Sequence, residues 1–154
     1  MVFVRYKTVK GHRYYQLVRN YREDGNHRQE VLCHLGPHDS IDAAIEAERR
    51  RIAPELEPYE WAASYARERL ATAEEGLAEL SPLYGPVLDE AEARQIEAEL
   101  SPDRYDGESY DRWLHANYSH GYHEAKRDLA SYEAFIAARR ARLDKLLDAQ
   151  EKYF

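Results

Sequence analysis

Hydrophobic positions change their spacing part-way along the chain. In the first 36 residues apolar and polar side chains alternate in short runs, VFVRYKTV (2–9), HRYYQLVRNYR (12–22) and RQEVLCHLG (28–36). Alternation with period two marks strands. The runs are separated by Lys10-Gly11 and by Glu23-Asp24-Gly25-Asn26, both turn-forming, and Asp-Gly is a strong hairpin signal because both residues tolerate positive φ. Three antiparallel strands follow. Symmetric pairing about Asp24-Gly25 sets Val18 opposite Val31 and Arg19 opposite Glu30. For the first hairpin, a three-residue loop (Lys10 to His12) gives the better segregation. Val2, Val4, Tyr6, Tyr14, Val18, Val31, Cys33 and Leu35 then share one face, and Arg5, Lys7, Tyr15, Leu17, Arg19, Tyr21, Arg28, Leu32 and His34 the other. A two-residue loop shifts the first strand by one and mixes the faces.

After residue 40 the period becomes helical. Ser40 is an N-cap for a short helix over 41–52, with Pro54 as its stop. Tyr59, Ala63, Ala66, Leu70, Ala73, Leu77 and Leu80 form a heptad seam that ends at Ser81-Pro82 and Gly85-Pro86. A shorter acidic helix is expected over 87–100. The aromatic, polar stretch 101–123 holds one helix around 109–116. Ala125, Leu129, Tyr132, Ile136, Leu143 and Leu146 make a second seam with Arg139 in the missing slot. Matched seams predict an antiparallel helical hairpin, within the chain or swapped across a dimer, so the fold class is α+β. The partner-binding candidates are Tyr59, Leu70, Leu77, Leu129, Tyr132, Ile136 and Arg139.

Composition reinforces this break. Every Ala lies after position 42, and five of the six Val lie before position 32. The chain of 154 residues carries net charge -7. That average hides +3 on residues 1–39 and −10 on residues 40–154. The expected organisation is therefore a basic sheet segment, 1–39, and an acidic heptad-helical domain, 40–154, for dimerisation or partner binding. With 44% apolar residues and a mean hydropathy of -0.83, the chain is neither a disordered polymer nor a membrane protein. A single cysteine and the lack of a signal sequence lead to a cytoplasmic expectation.

Arginines and tyrosines on a small sheet suit contact with nucleic acid: cations neutralise phosphates, Arg reads guanine, and a β-ribbon fits the major groove. Arg5, Lys7, Arg13, Arg19, Arg22 and Arg28 are the candidate contacts. Arg49-Arg50-Arg51 and Arg139-Arg140 with Arg142 extend such a surface if they fold beside the sheet. Their plainer role is pairing with acids one helical turn away, Glu46 with Arg50 and Glu48 with Arg51. Residues 2–36 resemble the N-terminal segment that precedes the catalytic domain in many DDE-class insertion-sequence transposases. The likeness rests on the opening hydrophobe-Val-Arg strand, the Lys-Gly turn, Tyr14-Tyr15 with Leu17, Tyr21-Arg22, Gly25, Arg28-Gln29, Val31-Leu32 and Leu35-Gly36. It implies a β-rich element that helps hold transposon DNA, through Arg5, Lys7, Arg22 and Arg28. The chain then departs from such an enzyme. A DDE core is an RNase H-like α/β domain, and no β-rich run follows residue 40.

Other chemistry has little support. The histidines fall at 12, 27, 34 and 38 and at 115, 120 and 123, without the tight paired spacing of a zinc site. No nucleophile elbow, P-loop or dinucleotide fingerprint occurs. Cys33 and His34, adjacent on a strand, point to opposite faces. The expectation is a non-catalytic DNA-binding accessory or regulatory protein without cofactor or metal, with DNA and a second copy or helical protein as partners and no membrane. The alternative is a helical interaction or scaffold protein, an acidic nucleic-acid mimic being one form of it, in which the sheet only caps the bundle.

Overall fold

The computed structural model describes residues 1–100 and 107–154. The elements run β1 (Val2–Val9), β2 (His12–Glu23), β3 (Asn26–Gly36), α1 (Ile41–Tyr84), α2 (Glu90–Glu99) and α3 (Gly107–Tyr153). The three strands form one antiparallel sheet in the order β1-β2-β3, followed by long helices, which is an α+β fold.

Both hairpins close through two residues. Lys10 and Gly11 sit at φ 51 and 80, and Asp24 and Gly25 at φ 52 and 81. Two left-handed residues in succession make the primed turn whose twist matches that of paired strands. Val18 faces Val31 and Arg19 faces Glu30, as the symmetry about Asp24-Gly25 requires. The first hairpin corrects the expected three-residue loop, because Val9 pairs with His12. Lys10 accepts the left-handed conformation, so the tighter turn forms and β1 moves by one residue. Two bulges in β3 leave Leu32 and Leu35 as extra residues opposite Leu17/Val18 and Tyr15/Gln16.

The chain divides into two compact units, one of residues 1–57 with 137–154 and the other of 58–136. Composition breaks at Asp39, whereas compaction groups the sheet with the first turns of α1 and the last turns of α3. The buried apolar residues of the sheet-bearing unit are Leu17, Val18, Cys33 and Leu35, then Ile41, Ala44, Ile45, Ile52 and Leu56, then Leu143, Leu146 and Ala149. Ser40 caps α1 as expected, its Oγ accepting from Ala43 N at 3.2 Å. The helix does not stop before Pro54. It runs through Pro54 and Pro58, because Ile45, Ile52 and Leu56 continue one buried stripe on either side. Both prolines are exposed, so water replaces the lost helical hydrogen bonds.

In the second unit α1 and α3 run antiparallel. Tyr59 stacks on Phe135 with centroids 3.7 Å apart, Arg67 pairs with Glu133 at 3.2 Å, and Arg69 bonds Asp128 at 2.8 Å. Its buried seam uses small side chains: Ala63, Ala66 and Ala73 with Leu77 on α1, and Ala116, Ser119 and Ala125 on α3. The expected helix over 87–100 begins later, capped by Asp89, whose side chain accepts from Glu92 N. The expected separate helix over 109–116 is instead the start of α3, continuous with the second seam. Residues 101–106 of the aromatic stretch, Tyr105 among them, lie outside the described residues. His115, Ser119 and His123 recur every fourth residue along α3 and hold the chain between α1 and α2. His115 donates to Gly85 O at 3.2 Å, His123 donates to Leu88 O at 2.7 Å, and Ser119 Oγ accepts from Leu88 N at 3.1 Å. No helix among the described residues is long and apolar enough to cross a membrane.

Candidate nucleic-acid interface

Register decides where the basic side chains go. Directly paired residues share a face, so Arg5 lies with Gln16, Lys7 with Tyr14, Val4 with Leu17 and Val2 with Arg19. One face carries Val4, Leu17 and Cys33. Leu17 is fully buried, and Val4 lines a cleft with Ile41, Gln150 and Phe154, so this face packs on the helices. The other face carries Phe3, Arg5, Lys7, Val9, Tyr14, Gln16, Val18, Asn20, Arg22, Gln29 and His34. The six candidate cations therefore divide: Arg5, Lys7 and Arg22 lie on this outer face, and Arg13, Arg19 and Arg28 on the helix-packed face. The single arginine-tyrosine face of the three-residue-loop register does not form.

The Arg5 face joins a hydrogen-bonded polar network to an apolar centre of Phe3, Val18 and Val31, of which Val18 is fully buried. Arg5 Nε donates to Gln16 Oε1 at 3.1 Å, and a second Arg5 nitrogen donates to Gln29 Oε1. Gln29 Nε2 donates in turn to Asn20 Oδ1 at 3.1 Å, and Gln16 Nε2 lies 3.2 Å from His34 Nδ1. Arg22 meets His27 at 3.4 Å. Lys7 has no ion-pair partner among the described residues. Side chains that accept and donate in one plane are suited to base edges as well as phosphates.

On the helix-packed face, the cations beyond the packed centre lie on aromatic rings or acids. Arg13 sits over Tyr6 at 4.5 Å, and hydrogen bonding to Tyr15 raises its affinity for its proton. Arg19 pairs with Glu30 at 2.5 Å and lies over Tyr21 at 5.5 Å; Arg28 is 3.7 Å from Glu23. Neither ion pair is buried, so both are weak restraints that a phosphate can displace.

The sheet-bearing unit also collects the arginine runs. It holds fifteen Lys or Arg against twelve Asp or Glu, while the unit 58–136 is at −10. The plainer role of some arginines is confirmed: Arg50 pairs with Glu46 at 2.5 Å, and Arg51 grips Glu48 through two bonds of 3.1 and 2.6 Å. Glu48 is buried, and Arg142 reaches it at 3.9 Å. Hydrogen bonding to Arg51 holds its carboxyl below the ordinary glutamate range. Burial pushes the Cys33 thiol up.

Of the seam candidates, Tyr59 is stacked on Phe135 and set edge-on to Tyr132, and Arg139 pairs with Glu55 at 3.3 Å. Leu77 is buried, and Leu70, Leu129 and Ile136 are partly covered. Two features escaped the sequence reading. Lys145 stands with Arg142 beside the end of β3, a proximity that only the tertiary fold creates. Trp61, 70% exposed, stacks on Tyr65 with an interplanar angle of 8°. Both rings fall off the Tyr59-Ala63-Ala66 seam, which is the signal that marks them as surface.

No curated protein and no solved structure matches the chain. A family match runs from within β1 through β3 into the first part of α1: residues 4–63 are similar to the IS1634 family transposase, N-terminal domain.

Proposed function

We propose that this is a mobile-element-derived, non-catalytic DNA-binding protein that holds duplex DNA on the outer face of its sheet. The observation that carries the proposal is the match of residues 4–63 to a transposase N-terminal domain. The register supports it by gathering Arg5, Lys7 and Arg22 with Gln16, Asn20 and Gln29 on one face of the sheet. Lys7 and Arg22 serve phosphates, while the Arg5-Gln16-Gln29 network is ordered enough to present donors and acceptors in a groove. Arg13, Arg19 and Arg28 serve as flanking phosphate contacts. The −10 charge of the other unit keeps nonspecific adhesion low and confines DNA to the sheet-bearing unit.

The test is fluorescence anisotropy of a labelled duplex titrated with the full chain and with a Lys7→Ala/Arg22→Ala variant. The expected result is binding by the wild type and a loss of about tenfold or more in the variant, with unchanged thermal stability. Equal binding by both overturns the assignment of the outer face.

A protein-partner reading is favoured by one observation, the exposed Trp61-Tyr65 stack in the acidic unit. Exposed Trp and Tyr are enriched in binding hot spots, and the surrounding acids suit a basic protein surface. Such a role is compatible with DNA contact through the sheet.

A further inference from the structure

The end of β3 and the last turns of α3 enclose a cleft of ≈ 410 Å³ lined by Cys33, His34, Gly36, Arg142, Lys145 and Leu146. Its floor is apolar, since Cys33 and Leu146 are 2% and 1% exposed. Its polar side chains are of one sign or neutral. Arg142 and Lys145 stand three residues apart, on one side of α3. Both act on the same buried thiol, Cys33, whose proton they loosen against the larger opposing effect of burial. Gly36, at φ +64, brings the backbone against the guanidinium of Arg142: a Cβ there would lie 3.4 Å from Arg142 Nη2.

We infer that this cleft is a second phosphate-binding site, taking a phosphodiester of the same duplex that lies on the sheet. The inference rests on the proposed function and extends it from the sheet to α3. Charge selects the occupant. Among the described residues the one carboxylate within ion-pair range of either cation is Glu48, which lies 3.9 Å from Arg142 and is already held by two bonds from Arg51. Lys145 is exposed and has no ion pair among the described residues. A compact ammonium on a flexible stem, beside a guanidinium positioned by a buried acid, is a suitable pair for one phosphate group. Continuity with the outer face supplies the second argument. His34 lines the cleft and also bonds Gln16, which bonds Arg5, so the cleft and the Arg5 network share a wall. A phosphodiester backbone that contacts His34 therefore borders the cleft that Lys145 also lines.

Salt-dependent anisotropy on a short labelled duplex tests this with the full chain, because each phosphate contact contributes about 0.9 to the slope of log affinity against log salt. Lys145→Gln is expected to weaken binding several-fold, by a similar factor on unrelated duplexes, and to lower the slope by about 1. Lys145→Arg, which keeps the charge, is expected to remain near wild type. Among the described residues Lys145 makes no hydrogen bond or ion pair, so thermal stability serves as a control. If the wild type and Lys145→Gln bind with equal affinity and slope while Lys7→Ala/Arg22→Ala is impaired, the cleft is overturned and the sheet reading stands. If the wild type binds no duplex at low salt, both fall together. A selective loss on single-stranded DNA alone also overturns the inference, since the site is assigned to a duplex.

Discussion

The ring of Tyr118 on α3 lies so close to Gly76 on α1 that a Cβ on the glycine would sit 2.4 Å from its Cε2. Gly76 is itself buried, and the contact falls within an alanine-rich seam. Tyr118 can occupy this place only because position 76 has no side chain.

Gly76→Ala therefore forces the ring or the helix to move. Its better intrinsic helix propensity, about 1 kcal/mol in favour of Ala, is outweighed by overpacking of about 1–3 kcal/mol. The expected outcome is a lower Tm with retained helical circular dichroism. Tyr118→Ala in the same chain should relieve the clash, so the double variant should lose less than the two single losses combined. An additive result would show that the two residues do not meet.

Glu48 gives the sheet-bearing unit a pH dependence. Its carboxyl is held below the ordinary value of 4.5, first by hydrogen bonding to Arg51. A depressed folded pKa means that its contribution is complete above the unfolded pKa. Loss begins near 4.5 and grows as pH falls towards the lower folded value. Glu48→Gln should lower stability at neutral pH by about 1–3 kcal/mol. It should also flatten the acid limb of the stability curve, measured by denaturant unfolding at a series of pH values. A mutant limb as steep as the wild type's would contradict this assignment.

Lys10 occupies a left-handed conformation at φ 51 without being Gly, Asn or Asp. Lys10→Asn, which tolerates that conformation better, should raise stability by about 0.5 kcal/mol without altering the Val9-His12 pairing. A loss of stability would mean that Lys10 makes a compensating contact.

Cys33 is 2% exposed and its thiol is raised above the ordinary value of 9.0 by burial. Alkylation at mildly alkaline pH should be many-fold slower in the native chain than in denaturant, because little thiolate is present and access requires opening. Equal rates would place the thiol at the surface.

How much of this was legible in the sequence follows from the range of each interaction. The Asp24-Gly25 hairpin was readable because its turn chemistry and the Val18-Val31 and Arg19-Glu30 pairs are local and symmetric. The Lys10-Gly11 hairpin was misread because hydrophobic segregation favoured a longer loop, whereas the chain took the tighter turn and divided its cations between two faces. Pro54 looked like a stop because the stripe from Ile45 to Leu56 gains its burial only after folding. The pairing of Arg51 with Glu48 was visible as a one-turn spacing. The approach of Arg142 and Lys145 to Gly36 was not, since more than a hundred residues separate them in the chain. The histidines of α3 were recognisable as a cluster, but only the fold shows two of them holding the Gly85–Leu88 backbone.

The proposed function has this acidic chain hold duplex DNA through its sheet-bearing unit. Its most direct test is the affinity of the wild-type chain for a short duplex between about 50 and 200 mM salt. Binding that weakens linearly in log affinity against log salt, with a slope reflecting several neutralised phosphates, is the predicted result. Absence of binding at the lowest salt, or an affinity indifferent to salt, would contradict it.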